Sequence, residues 1–513
     1  MGMGQGILDT LLGILGRRDL LPSLDSQIFG PGPWDENTLP HENTTRLARF
    51  HPGGPVSASE ATSTANAIYQ ARCEISDENI CVPVSVSVSS GGSCVAIAAA
   101  GGWKNRDPVV HYYLPEEDGE FEESMSLEPG LGAVATELTL DEDRKLIFVA
   151  DRDRIKSFMW VEGSGDAVHT LNSSKYSGPI ALLPNGRIVR AGKGAVAYWN
   201  INELEVHGPG MKKIGHGEYS TENSWRDNED DEIELSTGSK AHGTVKFAEK
   251  VFVPSTWHYH RPTSQLLCGE SRQDESRYSC IAVDLEHNGK TAAQYLGHGG
   301  TVTAFSTSES DPHMFATAAS DGFARLYDVR HPLPALTMDS GQSCEPCSDV
   351  VLVHPDGVPT LFTGGSKTER IQLWDIRARR FVYELATGNN AVVSMAWDES
   401  RSTLLAATEC EYMDRLGRHH DYRRAKLPSW EKDPRSSNGS DDEDEDMDQE
   451  DDDDEYDDER CWPTRAHHGE DFFGYTFDAG DHRLYRYAFK ADADTDMTPA
   501  YGDARIENDD YSW

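Results

Sequence analysis

Few residues in this 513-residue chain have the types and spacing that chemistry requires. His298, Thr317 and Asp321 form one such set: a base, a hydroxyl and a carboxylate, the kinds of group used together in nucleophilic catalysis. Cys344-Glu-Pro-Cys347 is a lone CxxC with no second pair and no nearby histidine cluster. A zinc site needs four ligands, so these read as ordinary loop cysteines and neither a metal nor a cofactor is expected. There is no phosphate-cradling glycine loop ending in lysine, no HExxH and no GxSxG. Gly91-Gly92 and Gly101-Gly102 stand at strand ends, where turns need them. The chain therefore reads as a binding protein rather than an enzyme.

Two other patterns suit docking. Tyr327-Asp328-Val329-Arg330 and Trp374-Asp375-Ile376-Arg377 share an aromatic-Asp-x-Arg ending. An arginine offers five donors in a fixed planar fork, suited to gripping a partner's carboxylates and carbonyls. Near the N-terminus, Ile7, Leu8, Leu11, Leu12 and Leu15 fall on one stripe of a short helix, followed by Arg17 and Arg18. Gly13 and Gly16 each cost such a helix about 1 kcal/mol against alanine. It is marginal alone and suits a segment that folds on a partner, or one that packs on the rest of the chain. Its polar face carries too little positive charge for a membrane surface.

The elements that must position these residues are short strands in repeat. Residues 302–330 read as an alternating apolar stretch, a turn, a small-residue strand, the Asp321-Gly322 turn and a strand ending at Leu326-Tyr327-Asp328, with Gly297-His298 just before. The next unit starts near Ser348 and ends at Trp374-Asp375. Tyr327 and Trp374 are 47 residues apart. Weaker copies occupy 84–114, 135–161, 179–201 and 251–285, and Trp160 and Trp199 are 39 residues apart. A last unit begins with 391–398 and 402–409, and its third strand comes only at 483–489. Seven units of alternating, β-branched strands predict an all-β ring of seven blades. Such a ring has to close.

The unit ending at Asp328 resembles a WD40 repeat at each landmark: the Gly-His pair, the small-residue strand, the acidic turn and the aromatic-Asp ending. The resemblance implies a seven-bladed WD40 β-propeller in which the outermost strand of the last blade comes from the other end of the chain. Residues 65–75, which alternate suitably, are therefore expected to pair beside 483–489 and seal the ring. It also implies that His298, Asp321 and Thr317 form a hydrogen-bond set tying the blade together, with Tyr327 in place of the usual tryptophan, and not a catalytic triad. The unit ending at Asp375 lacks the Gly-His pair and has a longer turn, so the set is not carried over to it. The sixteen residues 315–330 and the two arginine endings are similar to the box in substrate receptors of cullin-4 ubiquitin ligases, where two consecutive blades often carry it. The segment 11–21 looks like the short helix by which several of those receptors insert into the ligase adaptor. The resemblance then implies that Tyr327, Asp328, Arg330, Trp374, Asp375 and Arg377, with Leu11, Leu12, Leu15, Arg17 and Arg18, hold that adaptor. Many WD40 proteins with no ligase link carry one such arginine.

Charge and composition bound the rest. Formal net charge is −41, and residues 441–459 hold 16 acidic side chains and no basic one, which leaves −25 on the remainder. So acidic a surface repels phosphate backbones and suits basic partners, histones among them. The tract cannot bury enough apolar surface to fold and reads as disordered; solubility alone would also account for it. Nine irregularly spaced cysteines fit a reducing compartment. The apolar patch 7–15 is too short to span a bilayer, no leader pattern is evident, and position six is Gly6 where myristoylation wants Ser or Thr. A nuclear or cytoplasmic location is expected. The expected organisation is an N-terminal extension with a short amphipathic helix (1–62), a propeller (63–490) with insertions at 205–250 and 411–470, the latter acidic and disordered, and a disordered acidic tail (491–513). Besides the ligase receptor, a histone-handling scaffold and a general assembly scaffold remain open.

Overall fold

The middle strands of the blades explain the architecture. Val95–Gly101 (VAIAAAG) and Thr360–Gly365 (TLFTGG) are buried at every position, and Leu146–Ala150 is buried throughout as well. A strand covered on both faces loses the polar alternation of an exposed sheet, and small side chains let the neighbouring sheets approach. In a computed structural model these strands sit inside seven sheets arranged as a closed ring, each built on four antiparallel strands. The structure describes residues 28–29, 44–51, 57–58, 62–116, 119–161, 165–208, 210–222, 224, 226, 233–272, 277–340, 345–427 and 460–506.

Blade 1 comprises Val82–Val88, Val95–Gly101, Asp107–Pro115 and Phe121–Leu127. Blade 2 comprises Glu137–Asp141, Leu146–Ala150, Arg154–Met159 and Ala167–Asn172. Blade 3 comprises Ile180–Leu183, Arg187–Gly192, Ala195–Asn200 and Gly243–Lys246. Blade 4 comprises Pro254–His260, Gln265–Arg272, Arg277–Asp284 and Lys290–Tyr295. Blade 5 comprises Val302–Ser308, Asp311–Ala319, Phe323–Asp328 and Leu336–Asp339. Blade 6 comprises Cys347–Val353, Thr360–Gly365, Arg370–Asp375 and Arg380–Ala386. Blade 7 comprises Ala391–Asp398, Thr403–Glu409, Arg483–Phe489 and, from the other end of the chain, Cys73–Asn79. The first strand of every blade contacts the first strand of the next, blade 7 back to blade 1 included. Side chains stitch these seams. Ser306 accepts from the Leu352 amide at 2.9 Å, Asp349 from Met395 at 2.6 Å, and Ser394 from Val86 at 3.3 Å.

Closure differs in detail from the sequence expectation. Cys73–Asn79 pairs antiparallel with Arg483–Phe489, as a seal requires. Residues 65–75 are not one strand, however. Ser63–Tyr69 is an α-helix, the one α-helix among the described residues, and the strand begins only at Cys73. The helix is nucleated from elsewhere in the fold: the Asp356 carboxylate in blade 6 accepts the Thr64 and Ala65 amides at 2.9 and 3.2 Å. This fills the role of an N-cap, which no local side chain supplies. Ala65, Ala67, Ile68 and Tyr69 bury one face against blades 6 and 7.

The segment read as an insertion at 205–250 contains the fourth strand of blade 3, Gly243–Lys246, which is therefore part of the ring. What precedes it straps the rim of blade 2: Ser239 exchanges backbone hydrogen bonds with Thr170 and Asn172. Glu234 in this strap faces two cations in blade 2, 3.7 Å from Arg154 Nη1 and 3.5 Å from Lys156 Nζ, and both cations are almost fully buried. Farther along, Arg226 pairs with Asp107 of blade 1 at 3.1 Å. Within 411–470, Tyr422–Arg424 and Cys461–Pro463 form a two-stranded hairpin on blade 7. The acidic tract 441–459 and the N-terminal stripe 7–15 lie outside the described residues.

Candidate docking surface

Strand order assigns every loop to one of two faces. In each blade the first-to-second and third-to-fourth connections lie on one face, and the remaining connections lie on the other. Arg330 and Arg377 both follow third strands, in adjacent blades, so they share the first face. Tyr327 and Trp374 themselves are completely buried and anchor those strands. The Tyr327 hydroxyl donates to the Leu296 carbonyl at 2.8 Å, and Trp374 Nε1 donates to Thr363 at 2.9 Å.

The two arginines differ in setting. Arg330 Nε and Nη2 donate to the Asp328 carboxylate at 2.8 and 2.6 Å, a forked pair. The hydrogen bonds from Arg330 hold the Asp328 carboxyl at about 2. Three of the five guanidinium hydrogens remain for a partner. Asp375 instead accepts the backbone amides of Arg377 and Ala378 at 2.9 and 3.0 Å, and so shapes the turn. The Arg377 side chain lies beside the Tyr69 hydroxyl, which burial pushes up to about 12. The helix leading to the closing strand therefore borders the second arginine but not the first.

The blade 5 set is partly rewired relative to expectation. His298 Nε2 and Thr317 Oγ1 are 3.0 Å apart, and burial pushes the His298 imidazole down to about 3, so the ring is neutral. Asp321 makes no bond to it. Its carboxylate accepts both terminal nitrogens of Arg325, at 3.0 and 2.7 Å, and the Gly299 amide at 2.6 Å. A bidentate guanidinium offers the acid more than a neutral imidazole can. His298 Nδ1 faces the Tyr327 hydroxyl instead, at 3.4 Å. A base with no carboxylate behind it and a pKa near 3 is poorly placed to activate Thr317. Arg325 was missed in the sequence; its signal was a cation alternating with apolar residues four positions after the acidic turn. Cys347 is buried, its thiol pushed up to about 12 by burial, and Cys344 lies outside the described residues.

The N-terminal extension is tied to this same region. Ile28–Phe29 adds a parallel fifth strand to blade 5, and Ala48–Phe50 adds an antiparallel one to blade 6. Because Ile28 runs parallel with Leu336–Asp339, the chain joins blade 5 from the arginine face. Leu11, Leu12, Leu15, Arg17 and Arg18 lie outside the described residues.

Glu369 fastens the long blade 7 excursion to blade 6 and was not legible as a site residue. It accepts from the Tyr412 hydroxyl at 2.6 Å and from the His467 amide at 2.8 Å. Burial raises its carboxyl from 4.5 to about 7. A raised acid pKa binds protons more readily folded than unfolded. Its stability contribution is thus full below about 4.5 and is lost as pH rises through about 7. Glu369→Gln is expected to flatten the fall in melting temperature between these limits, read by circular dichroism. An unchanged pH profile would remove Glu369 from this role.

Together these features define a seven-bladed β-propeller with an arginine-bearing rim. The fold is consistent with the WD40 architecture, and propellers of this kind commonly serve as protein-interaction scaffolds. No protein-family model matches the chain, and no curated protein matches it.

Proposed function

We propose that the chain is a substrate receptor of a cullin-4-type ubiquitin ligase, gripping the ligase adaptor through the rim that carries Arg330 and Arg377. The observation that supports this most is the placement of the two aromatic-Asp-x-Arg endings on one face of consecutive blades. The parallel pairing of Ile28–Phe29 with blade 5, which puts the N-terminal end of that strand at the same face, is compatible with it. Both arginines are exposed, and Arg330 keeps three guanidinium hydrogens for the adaptor. The opposite face is left to the client protein.

Affinity purification of the full chain from cells tests the reading. Arg330→Ala with Arg377→Ala is expected to lower adaptor recovery at least tenfold, a loss of about 1.4 kcal/mol or more. The melting temperature should stay unchanged. Equal recovery of adaptor by the double variant, or no adaptor with the unmodified chain, would overturn it. Loss of histones on deleting 441–459, with no adaptor present, would assign the protein to the chromatin class instead.

A further inference from the structure

The face opposite the arginine rim carries an uneven charge. In a chain of net charge −41, the loops of blades 1 to 3 on this face present Lys104, Arg152, Lys175, Lys193 and Lys250, with an exposed Trp103 at the blade 1 end. The four from Arg152 onward are exposed and make no ion pair among the described residues. They are contiguous. The Ser173 amide donates to the Asp153 carbonyl at 2.9 Å, which joins the Arg152 loop to the Lys175 loop. A Cβ on Gly192 would lie 3.0 Å from the Lys175 carbonyl, and the Gly194 amide donates to the Phe252 carbonyl at 2.8 Å. Lys193 is thereby set between Lys175 and Lys250. Nearby acids largely turn inward. Asp151 accepts the Gly132, Asp153 and Arg154 amides, Asp153 accepts from Tyr219, and Asp107 pairs with Arg226. Glu128, Glu249 and Glu222, the last in the strap that Tyr219 and Ser224 anchor on Asp153 and Gly132, remain exposed among the basic loops.

Trp103 marks one end of this crescent. It is 56 % exposed, the most exposed tryptophan among the described residues. Lys104 Nζ lies 3.8 Å and Arg106 Cζ 5.0 Å from its ring centre. The loop holds it outward at a conformational cost: Lys104 and Asn105 both take left-handed backbone angles, φ 60° and 55°. Such strain concentrates at binding sites. Gly102, at φ 64°, has no room for a Cβ because the Asp107 side chain, itself held by Arg226, occupies the space.

We propose that this crescent binds an extended acidic peptide segment of a partner protein, its carboxylates on the lysines and Arg152 and an apolar side chain against Trp103. Charge complementarity is local. At physiological salt the field of the remaining acidic surface is screened beyond about 8 Å, so a short peptide on the loops meets mainly the crescent. A long polyanion such as RNA would extend over the acidic surroundings, which favours the peptide. The site is independent of the ligase reading, since it uses neither arginine of the opposite rim.

The test is fluorescence anisotropy with a labelled Glu-rich peptide of about 12 residues containing one central leucine, long enough to reach roughly 40 Å when extended. The full-length chain is expected to bind it, more weakly at high salt. Lys193→Glu with Lys250→Glu should weaken binding at least tenfold, and Trp103→Ala about fivefold, with unchanged melting temperatures. Arg330→Ala should have no effect, which separates failure here from failure of the ligase reading. Binding unaltered by both crescent variants, or no binding at low salt, would overturn the proposal. So would tighter binding of an oligouridylate of equal length. Binding seen only after deletion of 441–459 would also overturn it, assigning the crescent to the chain's own acidic tract.

Discussion

A chain lacking residues 63–79 is expected to lose the single cooperative melting transition of the ring. The deletion removes the helix Ser63–Tyr69 and the strand Cys73–Asn79. It strips blade 7 of its outer strand and uncovers Tyr485, Tyr487 and Phe489, which are buried in the intact ring. Ile68, Tyr69 and Ile75 leave with it, each nearly or fully buried. At about 1.5–3 kcal/mol per large side chain, these three contribute roughly 5–9 kcal/mol, comparable with the net stability of a whole domain. Polar ties go too: the 3.0 Å pair of Arg483 with Asp77, and the Tyr383 hydroxyl bond to the Ile68 carbonyl at 2.6 Å. Differential scanning calorimetry reads the outcome. Ile68→Ala is the milder version and should cost about 2–5 kcal/mol without abolishing folding. A deleted chain melting within about 2 °C of the intact one would show that the ring does not depend on this seal.

The second large effect is expected at Glu234. Its carboxylate faces Arg154 and Lys156, and burial lowers Lys156 from 10.5 to about 8. Glu234→Ala leaves two cations in blade 2 without that carboxylate, a change that typically costs about 3–5 kcal/mol. It also loosens the strap, since Glu234 accepts the Ser236 amide at 2.7 Å. The pH dependence has a definite sign. A lysine with a depressed folded pKa binds fewer protons folded than unfolded, so its contribution to stability improves as pH rises from about 8 toward 10.5. Removing Glu234 lowers the folded pKa further and widens that window downward. The deficit of the variant, measured by urea unfolding, should therefore shrink from pH 7 to pH 9.5. A deficit that is small, or constant with pH, would mean that water reaches these cations and that the strap is held by its backbone bonds alone.

The blades were legible because their signals are local. Residues 302–330 declare three strands and two turns within fewer than thirty positions, and the structure places strands at Val302–Ser308, Asp311–Ala319 and Phe323–Asp328. The late third strand of blade 7 was legible for the same reason: Arg483–Phe489 alternates whatever its distance from Thr403–Glu409. Gly243–Lys246 was not, because four residues of mixed polarity carry no period and become a strand only by pairing with Ala195–Asn200.

Composition and alternation along the chain were enough for the ring, its seven units and the two arginine endings, since β-periodicity and turn chemistry act over fewer than ten residues. Distance in sequence hid the rest. Ser63–Tyr69 is helical because a carboxylate almost 300 residues away caps it, and the basic crescent exists because loops of three blades are brought side by side. Both depend on groups that meet only in space, and closing the ring is what brings them together.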